Sequence, residues 1–338
     1  MGGNPAQAEP LPEVTILIYH RFGESRYPST NVAVERFREQ MAYLLSQQYT
    51  VMPLADLVAR LAEKRPLPAK GVVITIDDGY RSTYEQAWPI LQDFGFPFTV
   101  FLSTANIEKG YGGYLSWPQI SEMREAGVDF QDHGFAHGHL ATLPEGMDDA
   151  AYRRGISGDL IRSARVFIER LGDRPRFLAI PYGEYNVEVI EEAVKLGYEA
   201  IFTQDPGSVG PETPLTMIPR EPILGNDWAT MAHFEMVLQR VDLGLTELNP
   251  QPVRMSSSPK KFGARIITPD RFKADRCDLY VSELGWLPST YKDGVVSAST
   301  DKPLTRRLNR VMIRAWEKET GRSAVRSWLL VGNQPAPD

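Results

Sequence analysis

Cysteine is almost absent from this chain: Cys277 is the only one. A single thiol excludes an internal disulfide framework and any cysteine-based metal cluster. Histidine is nearly as scarce, with five in 338 residues. No apolar run reaches the roughly 18 residues that a membrane-spanning helix requires. Internal repeats and low-complexity tracts are missing as well. An excess of positive charge is also lacking. The chain has 37 Lys+Arg against 43 Asp+Glu, a net charge of −6, which argues against nucleic acid as the main partner. What is present is ordinary globular composition, with 42% hydrophobic and 24% charged residues. The length suits one large domain with a smaller one, and a core that needs no staples.

The charge is unevenly spread. Residues 245–338 carry 16 basic and 10 acidic side chains, which is +6. The first 244 residues then carry 21 basic and 33 acidic, which is −12. Two units with different surfaces account for this; drift between two solvated faces is the plain alternative. Residues 1–13 are expected to be a flexible stub. The stretch from Met1 to Pro12 has no apolar signal-peptide core. It suits a cytoplasmic start, and equally a mature exported protein whose leader is not part of this sequence.

From residue 14 to about 240, short apolar runs alternate with amphipathic stretches. Val14–Tyr19 (VTILIY) is a continuous apolar run of strand length, the pattern of a strand buried on both faces. Further strands are expected at 72–76, 98–102, 128–132, 177–180, 200–203 and 215–218. Helices are expected at 34–47, 54–63, 84–94, 118–126, 149–171, 187–196 and 229–241. Gly95, Gly127 and Gly197 follow three of them, where a left-handed closing residue is favoured. Such alternation means an α/β unit with a parallel sheet, and about seven units are enough to close a barrel. In barrels the active site lies at the C-terminal strand ends. The residues that follow the strands are therefore the candidates: His20; Asp77, Asp78 and Gly79; Asp132, His133 and His137; Pro181, Tyr182 and Gly183; and Arg220.

After Gly244 the texture changes. Short apolar segments at 265–267, 279–281, 294–297, 310–316 and 327–331 are punctuated by Gly, Pro, Ser and Asp. This reads as a small all-β, sandwich-like C-terminal domain. The expected division is thus 1–13 stub, 14–243 barrel and 244–338 accessory domain. Trp316 and Trp328 lie in strand-like runs and are expected in its core. Trp286 is open to a core or a sugar-binding role.

Asp78, His133 and His137 form a plausible metal set. Two imidazoles and a carboxylate suit Zn²⁺ and leave a position for water. The same set accepts Co²⁺, Ni²⁺ or Fe²⁺. A His pair four residues apart is, in isolation, as compatible with core or surface histidines. An Asp-Asp pair is as compatible with a turn. Their joint occurrence at strand ends favours the metal. The second carboxylate, Asp77, suits a general base for a cation-activated water. His20 at its strand end suits a proton donor to a leaving amine, or a rim histidine bonded to backbone. His139 is expected to face solvent or to sit behind the ligands, and His233 to be structural.

These residues carry a resemblance. Thr75-Ile76-Asp77-Asp78-Gly79, His133-Gly134-Phe135-Ala136-His137 and Ala179-Ile180-Pro181-Tyr182-Gly183 are similar, in order, to three motifs of the NodB-type polysaccharide deacetylases, carbohydrate esterase family four. The resemblance runs over roughly residues 14–241. It implies a distorted (β/α)7 barrel and hydrolysis of N-acetyl groups from an amino sugar. It implies Asp77 as base and Asp78, His133 and His137 as metal ligands. It also implies that the Tyr182 backbone N–H faces the oxyanion. Tyr19-His20-Arg21-Phe22-Gly23 and Asp77-Asp78-Gly79-Tyr80 resemble the branch acting on poly-β-1,6-N-acetylglucosamine, in which that histidine is a candidate acid. Enzymes of that branch are exported to the periplasm or cell envelope.

Three departures stand out. Gly134 replaces the usual hydroxyl residue, at the expense of a loop-stabilising hydrogen bond. Ala179 replaces the arginine that orients the base, and Arg220 is the expected substitute. The family's late Leu-x-His motif is not visible. Tyr80, Pro181, Tyr114 and Trp117 are the expected substrate-contacting residues, with loop anchoring as the alternative for the aromatics. The expected partner is an N-acetylated polysaccharide. The basic C-terminal domain would dock on glycan, envelope or exopolysaccharide machinery, or only shield the barrel. A binding module without catalysis and a hydrolase of a small cyclic amide are the competing functions.

Overall fold

The computed structural model describes residues 13–332, so the stub expected at 1–13 lies, but for Glu13, outside the described residues. Seven parallel strands form one curled sheet: β1 Val14–Tyr19, β2 Gly71–Ile76, β3 Thr99–Leu102, β4 Asp129–Asp132, β5 Phe177–Ala179, β6 Ala200–Phe202 and β7 Glu221–Pro222. Their order is β7-β1-β2-β3-β4-β5-β6. Thr50–Val51 adds a short parallel edge at the start of β2. Helices cover the outside, so both faces of the strands are buried and all six residues of β1 are enclosed. This is the parallel α/β arrangement expected from the alternation, in the distorted barrel form that the resemblance implies. No helix among the described residues is long and apolar enough to cross a membrane.

The pleat sorts the side chains. Leu17, Tyr19, Ile74 and Ile76 join the cluster beneath the helices, while Val14, Ile16, Val73, Phe101, Ala179 and Phe202 fill the interior. The same period of two points Thr75 and then Asp77 inward at the end of β2. The inward direction is what makes the strand end chemical rather than solvated.

Three expected elements differ. Residues 215–218 form a turn with a single parallel bridge, Ile218 to Phe202. Pro214, Pro219 and Pro222 have no N–H for a regular ladder, so the strand is reduced to Glu221–Pro222 against β1. The span from Leu215 to Pro222 still reaches from β6 to β1 and carries Arg220 between them. The helix expected at 84–94 starts with a wide turn, Thr83–Ala87, before Trp88–Phe94. Pro89 accounts for it, because its ring crowds the carbonyl four residues back. The last helix is only Met231–Leu238, capped by Thr230. A short helix, Thr104–Glu108, and the paired segments Arg21–Phe22 and Asn31–Val32 are additional.

Antiparallel structure starts at Leu245. A four-stranded sheet (Leu245–Asn249, Lys261–Ile266, Val295–Ser299, Ser289–Lys292) faces a five-stranded one (Arg254–Met255, Ser323–Gly332, Leu308–Glu317, Phe272–Val281, Gly285–Leu287). Phe262, Ile266, Leu279, Ile313 and Trp328 fill the space between, as a sandwich requires. Val241 and Leu243 also pack in this core. Trp316 does not: it is half-buried on the outer face, held between the Arg276 and Arg314 guanidiniums. The strand Leu308–Glu317 alternates, and Trp316 falls on its outward phase. Trp286 is exposed on the same face, against Arg314.

The strand Ser323–Gly332 is buried on both faces. Trp328 and Leu330 point into the sandwich; Leu329 and Val331 pack on Leu178, Ile180, Tyr185 and Ile201 of the barrel. The two units therefore share a continuous apolar seam.

Candidate active site

The C-terminal ends of β1, β2, β4 and β5 converge on one cluster. After β2 the chain turns through Asp78 (φ 73°) and Gly79 (φ 74°). A Cβ at Gly79 would stand 2.9 Å from Leu102 Cδ2, so only glycine fits this left-handed position. After β4, His133 is buried and His137 lies in a left-handed turn (φ 52°). After β5, Tyr182 is left-handed as well (φ 59°). Three non-glycine residues in this costly region, all at one site, mark a constellation held in place by its surroundings.

Asp78 Oδ1 lies 3.3 Å from His133 Nε2 and 2.9 Å from His137 Nε2. One ligand atom from each residue falls within a 4.8 Å group. Asp78 Oδ1 and His133 Nε2 are buried and lack hydrogen-bond geometry to any partner. On the far side of its ring, His133 Nδ1 donates to the Ala179 carbonyl at 2.7 Å. That bond fixes the tautomer, so Nε2 presents a lone pair to the cluster. Two buried ligand atoms without partners, one carboxylate and one imidazole, beside a second imidazole, that of His137, fit a divalent cation. Burial opposes charge on Asp78, but the adjacent imidazoles outweigh it and hold the carboxyl well below its usual range. His133 is shifted upward. Burial resists protonation there, and the Asp77 and Asp78 carboxylates overcome it.

Asp77 is fully enclosed, with Oδ2 3.9 Å from His133 Nε2. Arg220 supplies the guanidinium that Ala179 lacks. It donates from Nη1 to Asp77 Oδ1 and from Nη2 to Asp77 Oδ2, both at 2.8 Å. Arg220 Nε donates to the Thr203 carbonyl and Nη1 also to Thr75 Oγ1. Burial pushes the Asp77 carboxyl up, but Arg220, with His133, brings it below its ordinary value. A carboxylate so placed is ionised and oriented, with a lone pair on each oxygen left over.

His20 is buried beside both carboxylates, with Nδ1 unpartnered. Burial lowers its proton affinity, against the pull of Asp78 and Asp77. Tyr80 and Tyr114 pair across the rim with ring centroids 5.0 Å apart. The Arg21 guanidinium covers the Tyr80 ring at 3.3 Å. Pro181 is buried under the His133–His137 loop. Trp117 packs on the barrel core, and its indole donates to Glu108 at 2.7 Å. That is an anchoring arrangement. His233 is bonded to the Pro222 carbonyl at 3.3 Å, a structural place.

Two supporting residues, Asp159 and Glu184, escape the sequence reading; they act on Gly134 and His139, which it does single out. Gly134 has φ 75°, and a Cβ there would sit 3.0 Å from Asp159 Oδ2. The loop is instead stabilised by Asp159 on helix Asp149–Leu171, which accepts from the N–H groups of Phe135 (2.8 Å) and Ala136 (2.9 Å). Asp132 accepts from Gly134 N, Ser163 and Tyr198. Burial raises its carboxyl to about 6, against the pull of Ser163 and Tyr198. His139 stacks on Tyr182 at 4.2 Å and bonds Glu184. Nothing in a linear motif marks Asp159 or Glu184. Only the capped, long helix and the Tyr-Gly-Glu sequence lie near them in the chain.

Comparison with known proteins agrees with this geometry. Residues 64–201 match the family model described as polysaccharide deacetylase. The poly-beta-1,6-N-acetyl-D-glucosamine N-deacetylase of Escherichia coli (strain K12) is 28% identical over 231 residues, 58% of this chain and 34% of that protein. The enzyme of the same name from Staphylococcus epidermidis is 27% identical over 209 residues, 59% of this chain and 70% of its own length. The chain thus spans about a third of the first relative. The solved structure of IcaB from Ammonifex degensii is similar with a TM-score of 0.56 at 25% identity, covering 67% of this chain and 97% of that one.

Proposed function

The chain carries a polysaccharide deacetylase domain, and from that premise we propose that it hydrolyses N-acetyl groups of an N-acetylglucosamine-containing polysaccharide, a poly-β-1,6-linked exopolysaccharide being the favoured polymer. The observation that carries this reading is the pairing of one carboxylate with a buried guanidinium and of its neighbour with two imidazoles. A binding module needs no oriented base beside a cation site. Residues 14–243 form the catalytic unit in this reading, and residues 244–338 the accessory one. With a polymer of this kind as substrate, the periplasm or cell envelope is the location this reading favours.

Asp78, His133 and His137 would hold the cation, with zinc the first choice for this donor set and cobalt, nickel or iron also accepted. Bound there, the cation supplies Lewis acidity toward the attacking water and the acetyl carbonyl oxygen. Asp77 accepts the proton of the attacking water on a carboxylate lone pair that the two Arg220 bonds leave available. Arg220 fixes the orientation of the carboxylate plane throughout. The Tyr182 backbone N–H faces the developing oxyanion. His20 gives a proton to the nitrogen as the amide C–N bond breaks, releasing acetate and a free amine. Tyr80 and Tyr114 offer ring faces to the sugar at the rim.

Acetate release from β-1,6-linked N-acetylglucosamine oligomers by metal-loaded protein tests this, with Asp77→Asn beside it. Release that disappears in the variant is the expected result. No release from protein with metal bound removes this substrate and turns the question to other N-acetylated glycans. Glycan affinity without turnover, unchanged by Asp77→Asn, would favour the binding-only reading.

A further inference from the structure

The oxyanion side of the site is tied to the accessory sandwich by a chain of contacts. Tyr182 sits in a left-handed turn with its ring between two histidines. His137 meets it edge-on at 4.5 Å, and His139 stacks on it at 4.2 Å with only 13° between the planes. His139 Nδ1 lies 3.0 Å from Glu184 Oε2. A carboxylate only accepts, so Nδ1 carries the proton and the ring orientation is set by Glu184. Glu184 is in turn gripped by Arg307, which donates to Oε1 at 2.7 Å and to Oε2 at 2.8 Å. Arg307 also donates to Thr142 at 2.8 Å, in the loop that carries His139. Both ends of this ion pair are more than nine-tenths buried.

Arg307 belongs to the sandwich, immediately before the strand Leu308–Glu317. The chain on either side of it is held by Glu283, which accepts from the N–H groups of Thr305 and Arg306 and from the side-chain amide of Asn309. A paired, planar, buried guanidinium–carboxylate contact defines orientation far more sharply than an apolar seam does. The seam of Leu329 and Val331 already joins the two units. Arg307 adds a directed link that ends beside the ring of Tyr182.

We propose that Arg307 is a positioning residue for the deacetylation site: through Glu184 and His139 it sets the placement of Tyr182, so that the accessory sandwich supplies part of the active-site geometry. This rests on the deacetylase reading. The sandwich is then not merely a glycan anchor or a shield.

The test compares Arg307→Ala, Arg307→Lys and Glu184→Gln in the whole chain with Arg314→Ala, a control on the outer face of the sandwich. In Arg307→Ala, kcat on the oligomers falls roughly 10- to 100-fold while KM and bound metal stay constant, as expected for a small misplacement. Arg307→Lys restores only part, because an ammonium cannot make the paired bonds. Glu184→Gln added to Arg307→Ala costs little more, since both cut one link. Arg314→Ala leaves kcat unchanged. The aromatic NMR signal of the Tyr182 ring, assigned through Tyr182→Phe, gives a readout without substrate. It shifts in Arg307→Ala and stays in Arg314→Ala. An inactive wild-type protein would count against the deacetylase reading, and the ring signal would still decide the link. An unmoved ring overturns the proposal. So does a moved ring with kcat unchanged, or a kcat loss that the unfolded fraction explains.

Discussion

Arg220 and Asp77 face each other through two hydrogen bonds of 2.8 Å, with neither side chain exposed. Removing one partner of such a pair strands the other as a buried charge. Arg220→Ala is expected to cost about 3–5 kcal/mol of stability. Asp77→Asn in the Arg220→Ala background recovers part of that, since no carboxylate is left to desolvate. Urea denaturation of the two variants checks this. A double variant no more stable than Arg220→Ala would mean that packing, not charge, is the cost.

The donor set of Asp78, His133 and His137 makes a separate prediction. His133→Ala and His137→Ala each weaken zinc binding by more than about 100-fold, and neither shifts the affinity by way of global unfolding. Titration calorimetry with Zn²⁺ on the chelator-stripped protein is the measurement. Chelation of the wild type abolishes acetate release, and added zinc restores it. Wild-type affinity in His133→Ala would remove this residue from the site.

Gly134 is the position where a hydroxyl residue is usual in the family it resembles. Here the backbone is left-handed and Asp159 Oδ2 stands where a Cβ would press. Gly134→Ser is therefore destabilising by about 1–3 kcal/mol rather than a gain of a hydrogen bond. Thermal denaturation decides the sign. A raised melting temperature would show that the Asp159 loop yields easily.

His20 as proton donor predicts a dependence on the leaving group. His20→Ala lowers kcat on the amide roughly 100- to 10,000-fold. An activated aryl acetate, whose leaving group departs without a proton, suffers far less. Equal losses on both substrates would assign His20 to site structure instead of proton transfer.

Glu283 provides a pH signature for the loop that carries Arg307. Burial opposes its charge, but bonds from Thr305, Arg306 and Asn309 outweigh this and bring its carboxyl from 4.5 down to about 2. A carboxylate lowered on folding stabilises above its unfolded value and loses that contribution as pH falls toward the folded one. Wild-type stability therefore drops between about pH 4.5 and 2 by an amount that Glu283→Gln does not show. Urea midpoints across that range give the difference. Identical pH curves would mean that the Glu283 bonds are formed equally in the unfolded chain.

Much of this was legible in residue order. Helix Asp149–Leu171 and strand Val14–Tyr19 come directly from apolar spacing and flanking caps. The turn at 215–222 was not legible, because its prolines interrupt a ladder that only barrel closure demands. Trp316 shows a related limit. An apolar residue on a strand was expected in the core, yet the alternation of Leu308–Glu317 assigns its phase to the outside, where two arginines cover it.

By itself, the sequence determined the strand–helix alternation, the three motifs and the residues offered at the strand ends. These depend on local periodicity and on neighbours a few positions apart. The tertiary structure alone decided which distant groups complete them. Arg220 reaches Asp77 across 143 positions, and Arg307 reaches Glu184 across 123. Such pairs exist only once the sheet has curled and the sandwich has docked, because hydrogen bonds act over about 3 Å and no local pattern encodes which strand ends will meet.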